Sequence, residues 1–469
     1  MSLFKKSPSP SKGELLFSNK ALVKLLIPLF VQQVLNVMVG AVDTMMVSSA
    51  GEAAVSGVSL VNSLDTLLII FFTAMITGGA VVVAQKIGER NADNISEAAK
   101  QLLYIATFLA ILLTLAVELL RFPLLGLLFG DAETDVMKNA QDYFLFIALS
   151  FPFLAISESA GACFRSSGNS FIPLTVSLAS NVINIIGNAL LICVFGMGAA
   201  GAAVSTLVSR IAGATIMMVL ILSKKFDIHI DKLFRYRPDL GIIKRVLNIG
   251  IPNGIENAAF QLGRLLTQTL ISGLGTTVIA ANAVSLTIAN FQYMTGTACS
   301  AAMVPVVGRC IGAGERRQAK YYSRRILGLN YLILWCVIIL TVILLGPLVT
   351  AYGLEGESAD LAIKLLLSHC ALAALIWPIG FMLPTAFRAA GDVKFPMFVS
   401  MLSMWILRVA GAYFMALGAV SVFDLFTLPG FGLGIIGVWI AMYADWIVRV
   451  GIYVWHYFSD RWLRKKFGK

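Results

Sequence analysis

Charge is what this sequence has least of. Asp, Glu, Lys and Arg make up 13% of its 469 residues, against about 25% in ordinary globular domains. So few charges cannot cover a soluble core drawn from 58% hydrophobic residues at mean hydropathy +0.85. A length that would otherwise suggest about three soluble domains therefore carries little weight, and a cytosolic enzyme or a disordered chain is excluded. Histidine is nearly missing. His229, His369 and His456 are too few and too dispersed for a metal centre, or for the paired His or Ser–His set that a membrane-embedded enzyme would need. The six cysteines (Cys163, Cys193, Cys299, Cys310, Cys336, Cys370) show no C-x-x-C spacing. They read as small apolar residues and not as a disulfide or metal framework. No cleavable leader is apparent either: Lys5, Lys6 and Lys12 precede a full-length span, which reads as a retained anchor. What remains is a polytopic membrane protein.

A hydrocarbon core of about 30 Å needs about 20 helical residues. On that ruler twelve apolar stretches appear, near 22–47, 55–85, 101–120, 142–163, 172–195, 201–223, 242–271, 278–308, 325–350, 362–387, 396–420 and 433–458. Unpaired backbone is too costly in lipid and no run alternates like a barrel strand, so these are helices. The net charge of +11 would suit nucleic acid only as a stripe on a water-facing fold. Here it marks topology instead. Of the 36 Lys and Arg, 29 fall in the N-terminus, the inter-span segments of one side and the C-terminal tail. Only Arg121, Lys138 and Lys364 fall on the other side, and Arg210, Arg264, Arg408 and Arg449 lie within spans. The positive-inside rule then places both termini in the cytoplasm of a plasma (bacterial inner) membrane.

The chain is written twice. Phe164-Arg165-Ser166-Ser167-Gly168-Asn169, ending at Pro173, returns as Phe387-Arg388-Ala389-Ala390-Gly391-Asp392, ending at Pro396. Pro28 matches Pro252 and Gly88 matches Gly312 at nearly the same offset. The repeat organises the chain as a cytoplasmic segment 1–21, an N-lobe 22–230, a linker 231–241, a C-lobe 242–458 and a basic tail 459–469. Six spans per half make the repeats parallel, related by an axis along the membrane normal, which favours a carrier that rocks one bundle against the other. Two G-x-G-x-x-G runs, at Gly196-Gly198-Gly201 and Gly432-Gly434-Gly437, lack the preceding strand of a dinucleotide site. They read as turn and packing glycines at the outer start of a helix.

Ionisable residues in mid-span are functional candidates by default. Asp43, Asp65, Glu158, Glu256 and Asp445 qualify. Gln32, Asn36 and Asp43 fall within about 40° on one helix face, and a polar stripe there must face the bundle interior or a wet cavity. Asp43 has no basic partner on its own helix, so a proton or a metal cation is its natural neutraliser. Asn181, Asn184 and Asn188 share a face of span five, and Thr206 lies on span six. Amide and hydroxyl oxygens around one carboxylate suit Na⁺ or a protonated carboxyl equally. On span seven Asn253, Asn257, Gln261, Arg264 and Gln268 form a second stripe, with Glu256 about 100° off it. Gln32, Asn36, Glu256, Asn257, Gln261 and Arg264 are the candidates for a substrate cleft. Asp445 and Arg449 read as an i,i+4 ion pair, and Glu158 with Arg165 as a local pair or gate.

The Val42-Asp43-Thr44-Met45-Met46 segment, Gly88-Glu89-Arg90 and the duplicated Phe-Arg-x-x-Gly-Asn/Asp hairpins together resemble the multidrug and toxic compound extrusion (MATE) family over nearly the whole chain. The resemblance is to its DNA-damage-inducible, bacterial branch. It implies an all-α membrane protein of twelve helices in two pseudo-symmetric six-helix bundles, an antiporter and no enzyme. It implies no cofactor beyond a coupling H⁺ or Na⁺, and cargo that is small, organic, and cationic or amphipathic. Such a carrier is expected to act as a monomer in the lipid bilayer. On this resemblance the coupling site is Asp43, Asn184, Asn188 and Thr206, with Asp43, Asn184 and Thr206 as ligands if the ion is Na⁺. Asn188 stands where the family pattern often has Asp, which leans toward H⁺. A lipid-linked saccharide flippase of the same superfamily, which needs more cationic residues for pyrophosphate, and a membrane-embedded enzyme are the alternatives.

Overall fold

The computed structural model describes residues 15–130, 132–231, 233, 237–422 and 426–463. Most of the expected N-terminal segment, part of the linker and much of the basic tail lie outside the described residues. The rest is almost entirely helical. The first half runs through α1 (Asn19–Ser48), α2 (Glu52–Gly88), α3 (Ala92–Phe129), α4 (Thr134–Leu149), α5 (Phe151–Ser166), α6 (Phe171–Asn188) and α7 (Gly198–Leu222). The second runs through α8 (Leu240–Ser272), α9 (Thr276–Gly312), α10 (Arg316–Ile343), the short α11 (Leu345–Ala351), α12 (Gly356–Ala389), α13 (Lys394–Leu402), α14 (Gly411–Ala416) and α15 (Gly434–Phe458). Two π-helical segments interrupt the pattern, Ala189–Val194 after α6 and Ser403–Ala410 between α13 and α14. A hairpin of β1 (Ala419–Val422) and β2 (Phe426–Pro429) pairs Ala419 with Pro429 and precedes α15.

Among the described residues ten helices are long and apolar enough to cross a membrane, and α4 with α5, bent by 42°, make an eleventh span. The twelfth expected span is α8. Its 33 residues reach about 50 Å at 1.5 Å per residue, but Asn253, Glu256, Asn257, Gln261 and Arg264 leave it too polar to be recognised by apolarity alone. Several helices also overrun the bilayer: α2 and α9 have 37 residues and α3 has 38. The basic stretches between the expected spans, at 86–100 and 309–324, are consequently mostly helical. Only 89–91 separate α2 from α3, where the Asn91 side chain accepts from the Asn94 N–H at 3.3 Å and starts the new helix.

The repeated hairpin has a physical cause. In the first copy the Gly168 N–H reaches Arg165 O and the Asn169 N–H reaches Phe164 O, both at 3.0 Å. In the second, Gly391 reaches Arg388 O and Asp392 reaches Phe387 O, both at 2.9 Å. This is the two-bond Schellman closure of a helix, which needs a left-handed residue after the last turn. Gly168 and Gly391 supply it at φ of 90° and 89°. The G-x-G-x-x-G runs behave alike: Gly196, Gly198, Gly432 and Gly434 have φ between 56° and 65°, and Gly198 and Gly434 open α7 and α15.

Two compact units divide the chain. The first comprises Leu16–Gly254 with Gly308–Gly314, and the second Ile255–Val307 with Glu315 onward. In the first unit α2 packs on α3, α4 and α5, α7 on α4, α5 and α6, and α1 on α6. The end of α9 crosses α2 backbone to backbone there, at the repeat-related pair. A Cβ on Gly312 would lie 1.9 Å from Gln85 O, and one on Gly88 2.3 Å from Arg309 O. In the second unit α12 packs on α10 and α15, around a core in which Trp377, Trp439, Tyr443 and Trp446 are buried.

Candidate functional site

α1 starts at an N-cap where Ser18 Oγ accepts from the Ala21 N–H at 3.1 Å. It runs without a break through Pro28 to Ser48. That continuity keeps Gln32, Asn36 and Asp43 on one face, and all three line a cavity of about 400 Å³ within the first unit. α6 contributes Asn181 and Asn184 to the same cavity, and α7 contributes Thr206, Ser209 and Arg210.

Asp43 receives a hydrogen bond from Asn188 Nδ2 at 2.8 Å. Asn188 is the last residue of α6 before the π-helical segment, and it is 1% exposed. Asn184, one turn earlier, directs its Nδ2 to Ser205 Oγ at 3.4 Å and Thr206 Oγ1 at 3.3 Å, while Ser205 Oγ donates to Asn184 O at 2.7 Å. The amide oxygens of both residues, Asn184 Oδ1 and Asn188 Oδ1, are buried without a hydrogen-bond partner. A buried acceptor left empty is costly unless something donates to it or coordinates it. The four expected ion-site residues thus meet as two linked pairs, carried by α1, α6 and α7. Among the described residues no group of three or more His, Cys, Asp or Glu is placed to hold a metal. A cation here would rest on one carboxylate and on amide and hydroxyl oxygens.

Gln32 and Asn36, expected in a substrate cleft, share the cavity with Asp43. The other four cleft candidates belong to α8 in the second unit. Glu256 is 8% exposed and ion-paired to Arg388 Nη1 at 2.9 Å. Arg388 is the arginine of the repeated hairpin. Arg264 donates to Gln261 Oε1 at 3.5 Å, and Asn257 and Arg264 are exposed.

The expected pairs Glu158–Arg165 and Asp445–Arg449 both form, whereas the partners of Arg210 were not visible in the sequence. Arg210 donates to Ser150 Oγ at 2.6 Å, and Asp65 and Tyr143 lie within its electrostatic reach. These groups come from α2, α4 and α7, and no spacing along one helix signals them. Asp65 Oδ1 has no hydrogen-bond partner, and the Arg210 guanidinium is a positive charge within electrostatic reach of it. The cavity also holds Glu158 and Arg165, ion-paired at 3.2 Å. In the second unit Asp445 is fully buried between Arg449 Nη2 at 2.9 Å and Arg408 Nη1 at 4.0 Å.

Comparison with known proteins bears on what such a cavity serves. The family model described as MatE matches residues 28–190 and 252–414, two stretches that begin at the repeat-related Pro28 and Pro252. A "probable multidrug resistance protein NorM" of Thermotoga maritima is 26% identical over 95% of this chain and 93% of its own. A protein of the same name from Neisseria meningitidis serogroup B is 25% identical over 93% of each chain. A crystal structure of a MATE protein in the bent conformation superposes with a TM-score of 0.82 at 18% identity, covering 93% of this chain and 94% of that one. An outward-facing multidrug resistance MATE transporter of the MOP superfamily gives 0.82 at 18% identity, over 95% and 97%.

Proposed function

The chain belongs to the MATE family of membrane transporters, and on that premise we propose that it is a secondary active antiporter which exports small organic compounds in exchange for H⁺ or Na⁺. The cavity of the first unit is the ion seat in this reading, with Asp43 as its charge-carrying group. The observation that carries it is a membrane-embedded carboxylate that accepts from Asn188 and lines one cavity with Asn184 and Thr206, while the amide oxygens Asn184 Oδ1 and Asn188 Oδ1 are unfilled.

Either ion satisfies that set. A proton on Asp43 turns an acceptor into a donor for a neighbouring amide oxygen. Na⁺ takes carboxylate, amide and hydroxyl oxygens as hard ligands. Coupling follows from a general constraint: an ion shifts a conformational equilibrium only by its differential affinity for the two states. Asn188, at the junction of α-helical and π-helical backbone, links the charge on Asp43 to a segment of the kind that recurs at functional sites. Alternate exposure of the cargo then follows from the duplicated plan. In the same reading the protein acts as a monomer in the bacterial inner membrane, with cytoplasmic termini as the Lys and Arg distribution indicates.

The test is reconstitution of the full chain in proteoliposomes, with ΔpH and ΔNa⁺ imposed separately and a panel of cationic, neutral and anionic compounds. Concentrative transport under one gradient and not the other identifies the coupling ion. Indifference of every compound to both gradients would overturn the antiport reading.

A further inference from the structure

The charges within the helices of the second unit do not balance. Among the described residues two acids lie in the interior of its membrane helices, Glu256 and Asp445. Glu256 is held by Arg388 and Asp445 by Arg449, each at 2.9 Å. Arg264 and Arg408 remain, and among the described residues their share of negative charge is the 4.0 Å approach of Arg408 to the far oxygen of Asp445. A guanidinium within a membrane is expensive unless it is paired or wet; Arg408 is held by that one long contact and Arg264 is exposed, which leaves positive charge for an anionic ligand to meet.

A close crossing sets the helix of Arg264 against the segment of Arg408. A Cβ on Gly263 would lie 2.6 Å from Met404 Cε and 3.3 Å from Val409 Cγ2, so α8 rests directly on the π-helical segment that carries Arg408. Each guanidinium lies within electrostatic reach of the other and of the Tyr293 hydroxyl. Arg408 stands 5.6 Å over the Phe260 ring. Tyr293 stacks on Trp377 at 5.1 Å, and Trp377 on Phe381 at 5.2 Å, which extends an apolar wall from the charged end. Arg264 itself is exposed, on the face that carries Asn257 and Gln268. That row of amides and guanidinium belongs in water and not against lipid tails.

We propose that Arg264 and Arg408, with Tyr293 and Phe260 beside them, form an anion-binding subsite within the second unit, and that the cargo is an amphipathic organic anion. A guanidinium fork matches a carboxylate, sulfonate or phosphate, a second guanidinium within electrostatic reach adds to the attraction, and the aromatic wall takes the apolar body to which that group is attached. The cargo class rests on the transporter reading. It narrows the cationic or amphipathic cargo that the family resemblance implies to an anionic amphiphile.

Equilibrium binding tests this without any gradient. The full chain in nanodiscs of zwitterionic lipid is titrated with fluorescein, an anionic xanthene, and rhodamine 6G, a cationic one, by fluorescence polarisation. Fluorescein is expected to bind at least about tenfold more tightly. Arg264→Gln, at an exposed position, should weaken fluorescein about tenfold while leaving rhodamine 6G affinity and the melting temperature unchanged. Arg408→Lys keeps the balance with Asp445 but loses the fork, and should also weaken the anion. Equal binding of the two dyes, or an Arg264→Gln variant that holds fluorescein as well as the parent, overturns the proposal. Competition separates the sources of the anionic group. Displacement by a polyprenyl diphosphate and not by inorganic diphosphate assigns it to a lipid-carried ligand, and displacement by neither assigns it to a water-soluble aromatic anion. Absence of gradient-driven transport would sink the antiport reading and leave these affinities standing.

Discussion

Exchanging Asp43 for asparagine tests the ion seat with almost no change in shape. The variant keeps an acceptor oxygen for Asn188 Nδ2, which now sits 2.8 Å from the carboxylate, but can hold neither a proton nor a cation. A hydrogen bond to a charged group is worth about 1.5–3 kcal/mol and a neutral one about 1. Asp43→Asn gives up that difference and recovers part of the cost of keeping a carboxylate out of bulk water. The net change in stability should therefore stay within about 1–2 kcal/mol, a few degrees in melting temperature. The functional effect should be of another order. Driving a two-state equilibrium from 1:99 to 99:1 takes about 5.5 kcal/mol of differential affinity, and in this account the ion at Asp43 provides it. Gradient-driven efflux from proteoliposomes should fall at least about tenfold, while equilibrium binding of cargo stays within about twofold. A variant that folds, binds cargo and still responds to the gradient like the parent would refute the role given to Asp43.

Three further outcomes follow from geometry. Glu256→Gln or Arg388→Gln alone breaks a nearly buried 2.9 Å ion pair and should cost about 3 kcal/mol. The double variant should recover most of that in a thermal-melt cycle, and strictly additive losses would argue against coupling. Gly391→Ala and Gly168→Ala force a side chain into φ near 90°, at about 1–2 kcal/mol each. Asparagine at the same positions should cost less in the same melts, and equal losses would count against the Schellman account. Gly312→Val places a methine 1.9 Å from Gln85 O, against backbone that cannot rotate away, and should cost about 3 kcal/mol or more. It would be seen as loss of monodisperse protein in detergent, and an unchanged elution profile and melt would contradict the close crossing.

The membrane class, the helical content and the duplication were legible because each depends on local chemistry. Apolar runs of sufficient length must be helices in lipid, and the Phe-Arg-x-x-Gly-Asn/Asp hairpin recurs because a Schellman closure needs glycine at one position. Spacing also put Gln32, Asn36 and Asp43 on a common face, since 3.6 residues per turn requires it. The limits of helices were less legible. Hydropathy reports the hydrocarbon slab, so the water-exposed ends of α2, α3 and α9 were read as loops, although hydrogen-bonded turns continue there. The span at 242–271 was read almost at its full length despite the polarity of α8, which runs Leu240–Ser272.

Partners across helices were beyond the sequence. Glu256 was a cleft candidate by type and position, yet it is tied to Arg388, 132 residues away. Arg210 was a surplus cation until Ser150, Asp65 and Tyr143 came beside it. The sequence by itself determined that this chain threads a membrane as two matched sets of helices, because transfer free energy and backbone hydrogen bonding act within short segments. Only the tertiary structure decided which buried charges are spent on one another and which are left over. Pairing energies depend on distances between helices that close only when the bundles pack, and those distances leave Asp43 bonded to Asn188, whose own amide oxygen is unfilled, and Arg264 and Arg408 without a full counter-charge.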